Sequence, residues 1–244
     1  MARLLSLRAT LASDRRCFAE AQELLERAES IYKEFGESGE ATRVLVKRGI
    51  YAGLAGQTER AVGLLSAALV LIDRRADPEL ALDTVHNLAW FLMDSGDWSQ
   101  SAAVLSQFRQ LYEEHGQRVV LIKKTWLEGR IDGGQGRLDQ AAAALAAVIA
   151  ELEEVGLGYE AAIAGLDLAA IRLRLGDTQA AVELVGQSAE AFLALGIGRE
   201  ALAAVVMLRD AIEQETATEG IVHEVARFLG RLEHDSGARF GFTV

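Results

Sequence analysis

The side chains that could support catalysis or bind a metal are few and widely separated in the sequence. The histidines are His86, His115, His223 and His234. No two of them have the i, i+4 spacing with which one helix chelates zinc. A nucleophile would have to be the single cysteine, Cys17, or a serine such as Ser95, and neither lies in a nucleophile-elbow motif. The sequence therefore predicts no catalytic residue, no metal site and no cofactor.

Two short clusters nevertheless have the composition of part of a hydrolase site. His86 is followed by Asn87, and His115 follows Glu113 and Glu114. A hydrolase stays as an alternative, and turnover abolished by changing His86 would support it. The glycine-rich stretch 133–136 lacks the preceding strand and the lysine of a phosphate-binding loop, so it is interpreted as a helix end followed by a turn.

Composition and charge exclude several classes of protein. Half of the 244 residues are hydrophobic and there is one proline, which favours a nearly all-helical chain over disorder. The formal charge of −11 argues against binding nucleic acid through phosphate neutralisation. A lone cysteine excludes an internal disulfide framework and fits a reducing, cytoplasmic location. The longest apolar stretch, 141–150, is about half of what crosses a bilayer, so no membrane span is predicted.

Glycines at a constant spacing show that the chain is a repeat array. Gly56, Gly96, Gly136 and Gly176 lie 40 residues apart, and a small residue follows each of them five positions later. A second series with the same spacing is Gly36, Ala76, Gly116, Gly156 and Gly196. Such periodicity is typical of helical solenoids, in which each unit packs against its neighbours. The predicted units are 1–36, 37–76, 77–116, 117–156, 157–196 and 197–233, in a single domain with a flexible tail at 234–244.

Local signals define the helices within each unit. Asp77, Pro78 and Glu79 have the order of an N-cap, a first helical residue and an acid in the first turn, so they predict a helix start. The glycines of the second series are predicted to end helices in the left-handed conformation, Gly116 included. Small residues are predicted to face each other across each helix pair, in the pairs Gly49 with Ala61, Ala89 with Ser101, Gly129 with Ala141, and Ala169 with Ala181.

This pattern resembles the tetratricopeptide repeat. The first helix has a small residue near its middle, a turn glycine follows seven positions on, and an alanine or serine lies five after that. The period is 40 residues, whereas the standard unit has about 34, and the signature aromatics and closing proline are mostly missing. The resemblance implies an all-α, right-handed solenoid of about six antiparallel helix pairs, similar to divergent repeats of bacterial regulatory and scaffold proteins.

The resemblance also implies a concave groove, lined by the first helix of each pair, in which a peptide binds. Carried over position by position, the groove residues are Arg43, Lys47, His86, Asn87, Trp90, Lys123, Trp126, Arg130 and Arg174. The cations would hold carboxylates of an acidic partner, and the tryptophans would offer flat apolar surfaces. An alternative is that the tryptophans fill the core between repeats and the charges are solvated.

The sequence thus predicts a protein-interaction scaffold that binds a peptide or protein segment. A sensory or regulatory repeat segment of a bacterial signalling or transcription-control system is the alternative. Leu4, Leu7 and Leu11 form an apolar stripe near the N-terminus, and they favour a homodimer through the N-terminal helices.

Overall fold

A computed structural model of the chain describes residues 1–196, 205–206, 208–209, 212 and 219–232. These residues form α-helices and include no strand. The helices are α1 (Ala2–Asp14), α2 (Phe18–Glu34), α3 (Ser38–Leu54), α4 (Thr58–Leu71), α5 (Pro78–Asp94), α6 (Trp98–Gln107), α7 (Arg109–His115), α8 (Arg118–Gly134), α9 (Leu138–Glu154), α10 (Gly158–Arg174), α11 (Thr178–Ala194) and α12 (Glu219–Leu232). The predicted tail 234–244 and most of the predicted sixth unit before α12 lie outside the described residues.

The 40-residue period is the sum of two long helices and two short turns. Helices α2, α3, α5, α8, α9, α10 and α11 each have 17 residues. Three-residue turns with a central glycine join most of them. At Gly56, for example, φ is +78°, its N–H donates to the Gly53 carbonyl (2.8 Å), and the Gln57 N–H donates to that of Ala52 (2.9 Å). This is the Schellman motif, which satisfies the last carbonyls of a helix and favours glycine at the left-handed residue.

Three turns depart from this rule. Arg16 occupies the glycine position of the first repeat and adopts φ +57° without a glycine, closing the same pair of hydrogen bonds. The turn that contains Ala76 is longer, and the Asp73 carboxylate accepts the N–H groups of Arg75 (3.0 Å) and Ala76 (3.3 Å). The prediction for Gly116 was wrong: its φ is −70°, so the chain leaves α7 in an extended conformation.

The predicted start of α5 is confirmed. The Asp77 carboxylate accepts the Leu80 N–H at 3.1 Å, and Pro78 is the first helical residue. The Asp77 carboxylate thus binds a backbone N–H that has no acceptor within the helix. Proline at the first helical position has no N–H, so one fewer donor of the first turn needs a partner.

The described helices divide into two compact units, Met1–Gln117 and Arg118–Val244. In the first unit each helix from α1 to α6 packs against the next, and the first helices α3 and α5 also contact each other. A small core of leucines and alanines joins α1 and α2, including Leu5, Leu25 and Ala28. The consecutive packing of helix pairs confirms the predicted helical-repeat solenoid, whereas the single domain over 1–233 stays a prediction.

In the second unit α8, α9, α10 and α11 pack in the same order, and α8 contacts α10. Helix α12 packs against α10 and contributes Val222, Val225 and Leu229 to a core that contains Leu166 and Phe192. Residues 164–171 of α10 are all buried, because part of them pack into this core and the others, such as Leu168, into the core shared with α8 and α9. Helix α12 thus shields from solvent a first helix that would otherwise have an apolar side exposed.

The predicted small-residue pairs are only partly as expected. Ser101 is fully buried and its hydroxyl donates to the Ala89 carbonyl at 2.7 Å, so these residues do meet. Gly49, however, packs closest to Leu65, since a Cβ at Gly49 would lie 2.7 Å from the Leu65 Cγ. Leu65 lies one helical turn beyond the predicted partner Ala61, so the glycine accommodates a large side chain and does not bring two small ones together.

Candidate functional site

Two neighbouring first helices in the first unit present side chains at matching positions. Arg43, Lys47 and Ile50 of α3 and Asp83, Asn87 and Trp90 of α5 are all exposed or half-buried; we call these six residues the first-helix face. Each residue of α3 corresponds to the residue of α5 that is 40 positions later. Within each helix the spacing is four and then three residues, which places the side chains along one side.

A glycine allows α3 and α5 to approach closely beneath this face. A Cβ at Gly53 would lie 2.1 Å from Cζ of Phe91, whose ring is buried. The same contact recurs in the second unit, where a Cβ at Gly133 would lie 2.7 Å from Cδ1 of Ile171. Only a residue without a Cβ lets a first helix accept the large side chain of the next first helix at this distance.

The side chains of the first-helix face differ in the ion pairs and hydrogen bonds that they form within the protein. Arg43 forms an ion pair with Asp77 and lies 3.9 Å from Glu40. The Asn87 amide donates to the carbonyl of Asp83 in its own helix (2.8 Å). Lys47 is half-buried and makes no ion pair within the described residues. His86 and Trp90 are half-buried on α5.

In the second unit three of the predicted groove residues, Trp126, Arg130 and Arg174, form internal contacts. Trp126 is 8% exposed, and its Nε1 donates to the buried Asp167 carboxylate at 2.7 Å. Nε of Arg130 lies 3.6 Å from the same carboxylate oxygen. Burying a carboxylate costs free energy unless it is hydrogen-bonded and its charge is balanced. Trp126 supplies the hydrogen bond to Asp167, and Arg130 supplies the positive charge. Trp126 therefore joins α8 to α10, and its ring is not an open surface for a partner.

Arg174 and Lys123 complete the predicted set. Nη1 of Arg174 donates to the Gly133 carbonyl near the end of α8 at 2.6 Å, so Arg174 also joins neighbouring first helices. Lys123 is exposed and makes no ion pair within the described residues. Of the predicted groove cations, Lys47 and Lys123 thus have ammonium groups that no described carboxylate neutralises.

The residues considered for catalysis do not converge in the described part of the chain. Nε2 of His115 lies 3.8 Å from Glu114, and both side chains are exposed. Cys17 is exposed at the start of α2 and points its sulfur toward the Arg15 carbonyl (3.6 Å). Within residues 1–196 and the later described segments, no three His, Cys, Asp or Glu side chains are placed to share a metal ion. No described helix is both long and apolar enough to cross a membrane.

The sequence reasoning missed a polar cluster between α2 and α3. Glu29 is 5% exposed and accepts hydrogen bonds from Arg48 Nη1 (2.6 Å) and Lys33 Nζ (2.5 Å). The other amino group of Arg48 donates to Glu26 at 2.6 Å. A comparison of the repeats would have found the pair, because leucines, Leu69 and Leu88, occupy the positions of Glu29 and Arg48 in the next repeat.

The ionisation of Glu29 reflects this environment. Burial by itself raises the pKa of its carboxyl group, but the hydrogen bonds and positive charges of Lys33 and Arg48 lower it more. The pKa of Glu29 consequently lies below its ordinary value of 4.5, and the carboxylate is charged at neutral pH.

Comparison with known proteins identifies a fold and no family. No protein-family model matches the chain, and no curated protein matches it in sequence. Among solved structures, it is similar to a Rap protein complexed with competence and sporulation factor, with a TM-score of 0.75 over 96% of this chain and 14% identity. At this identity the likeness supports the helical-repeat fold alone. The chain spans 65% of that Rap chain, which is less than two thirds of its length.

Proposed function

We propose that the chain is a non-catalytic scaffold that binds a peptide or protein segment on the first-helix face. The observation that carries this proposal is the match between α3 and α5: two adjacent helices present accessible polar, aliphatic and aromatic side chains in the same register. Neighbouring helices in register offer a partner a repeated set of contacts, and partly exposed aromatic residues are enriched at the centres of protein interfaces.

The charges of the face favour a partner with carboxylate groups. Lys47 is half-buried, and its ammonium group makes no ion pair within the described residues. A partner carboxylate would form a charge-assisted hydrogen bond there. Ile50 and Trp90, one residue from each helix, supply apolar area beside it. In the second unit Lys123, which lies at the repeat position of Arg43, is an exposed cation that makes no ion pair within the described residues, while Arg130 and Arg174 support the fold.

A peptide-display selection on the full chain tests the proposal. We expect the selected peptides to contain Asp or Glu near an apolar residue, and binding to fall by about tenfold or more in Trp90→Ala and Lys47→Glu variants. Trp98→Ala is the matched control, because Trp98 is also half-buried but begins the second helix α6. Equal losses in Trp90→Ala and Trp98→Ala would contradict the assignment to the first-helix face.

A second candidate is a sensory or regulatory repeat segment of a bacterial signalling or transcription-control system. The likeness to a Rap protein that is complexed with competence and sporulation factor supports it. An epitope tag at the chromosomal gene would give the length of the native product and its cellular fraction. We expect a cytoplasmic product, and a native chain with an additional effector domain would favour this candidate over a free-standing scaffold.

A homodimer through α1 is also proposed. Leu4, Leu7 and Leu11 lie on one side of α1 and are 59%, 58% and 58% exposed. Burying them against a second copy would remove apolar area from water. Light scattering coupled to size exclusion should show a dimer that becomes a monomer when the three leucines are changed to glutamine. A monomeric wild-type chain at micromolar concentration would refute this.

A further inference from the structure

A cavity of about 330 Å³ lies beside α2 in the first unit, and no residue of the first-helix face lines it. Its walls include Phe18, Gln22, Glu23 and Glu26 of α2, Gln57 of the turn after α3, and Arg60 of α4. The volume is at the small end of the range for ligand pockets, which suits one extended side chain or a compact metabolite.

Gln22 is a polar exception in a series of apolar residues. The corresponding positions of the later repeats are Val62, Ala102, Ala142 and Val182. Gln22 is 7% exposed, and its Nε2 donates to the Arg48 carbonyl at 2.8 Å. This bond fixes the orientation of the amide, because exchanging its two ends would place an oxygen against a carbonyl oxygen. The Oε1 atom, a buried acceptor, has no hydrogen-bond partner within the described residues.

The charged groups that line the cavity are two carboxylates and one guanidinium group, so negative charge is in excess. The Arg60 guanidinium donates to Glu26 (3.2 Å) and to Gln57 (3.1 Å), and Glu26 also accepts from Arg48. Glu23 makes no hydrogen bond or ion pair with another described residue. Two acceptors of the residues that line the cavity thus have no partner within the described part of the chain: the Gln22 amide oxygen and the Glu23 carboxylate.

We propose that this cavity binds a ligand that carries a guanidinium or primary ammonium group on an aliphatic stem. Such a group has several N–H donors, so it can satisfy the Gln22 oxygen and neutralise Glu23 together. Phe18 provides an aromatic wall for the stem, and its ring already has the Arg16 guanidinium 5.2 Å from its centroid. The same chemistry is found in the side chain of a basic peptide and in a free amine.

Calorimetric titration of the full chain tests this proposal with three probes. Agmatine represents the free amine, a terminally blocked Gly-Arg-Gly peptide represents the side chain, and the same peptide with citrulline is the uncharged control. We expect agmatine, the arginine peptide or both to bind, and the citrulline peptide to bind about tenfold or more weakly. Binding of agmatine alone would indicate a small-molecule site, and tighter binding of the arginine peptide would indicate a protein partner.

Two variants and a matched control connect this binding to the cavity. Gln22→Val introduces the residue found at position 62, and Glu23→Gln removes an exposed charge; each should weaken binding by about tenfold or more. Glu183→Gln is the control, because Glu183 occupies the position of Glu23 in a later repeat. Thermal melting should show that all three variants are folded. The proposal is overturned if no charged probe binds the wild type, or if both cavity variants bind as well as Glu183→Gln.

Discussion

Changing Gly53 to alanine should destabilise the chain, although alanine is the better helix former. The new Cβ would lie 2.1 Å from Cζ and 2.2 Å from Cε1 of Phe91, well inside van der Waals contact. Phe91 is 6% exposed, so its ring has little room to move. Overpacking of this kind costs about 1–3 kcal/mol, while the gain in helix propensity is about 1 kcal/mol, so the net loss should be up to about 2 kcal/mol.

Urea denaturation followed by circular dichroism measures this loss, with Gly63→Ala as the control. Gly63 lies within α4 and a Cβ there meets no atom within 4 Å, so alanine should stabilise the chain by about 0.5–1 kcal/mol. A Phe91→Leu background removes the ring, and there Gly53→Ala should no longer destabilise. If Gly53→Ala and Gly63→Ala shifted the denaturation midpoint upward equally, the close approach of α3 and α5 would be wrong.

Three further predictions concern buried polar groups. Arg48→Leu alone should lower the free energy of unfolding by about 3 kcal/mol, because Glu29 loses a partner. The double variant Glu29→Leu, Arg48→Leu should be near neutral in urea denaturation, since the attraction within a buried ion pair is about as large as the cost of desolvating it. Equal losses in the single and double variants would contradict this. Because the pKa of Glu29 is lowered in the folded state, the stability it contributes is present above pH 4.5 and is lost as the pH falls through the folded-state pKa. Melting temperatures of the wild type should therefore fall more steeply below pH 4.5 than those of Glu29→Gln, and parallel curves would refute the shift. Trp126→Phe should cost about 1–3 kcal/mol, since it removes a hydrogen bond to the buried Asp167; an unchanged melting temperature would show that Arg130 alone satisfies the carboxylate.

The repeat architecture could be predicted from the sequence because turn glycines report backbone conformation directly. Gly56 and Gly96 adopt positive φ in the turns where the period placed them, and Asp77 with Pro78 begins α5 as predicted. These signals are local: each depends on the conformation of a few consecutive residues. The failure at Gly116 has the same origin, because a glycine permits the left-handed conformation but does not require it.

The candidate site was less predictable, because the role of a side chain on a first helix depends on the neighbouring first helix. Trp90 and Trp126 looked alike in the sequence, yet Trp90 is half-buried and Trp126 is in the core with its indole bonded to Asp167. The partner of Trp126 is 41 residues away, one position off the repeat, so the period alone does not identify it. The first-helix face stays a prediction that the binding experiments test.

The sequence by itself determined that the chain forms helix pairs with a 40-residue period, since glycine spacing, capping residues and apolar periodicity act within a few residues of one another. Only the tertiary structure decided which charged residues are used internally. Arg130 and Arg174 join α8 to α10, and Arg48 neutralises Glu29. The Gln22 amide oxygen has no hydrogen-bond partner in the part of the chain that the structure describes. The physical reason is that desolvation and ion pairing depend on distances between helices, which residue spacing along the chain does not specify.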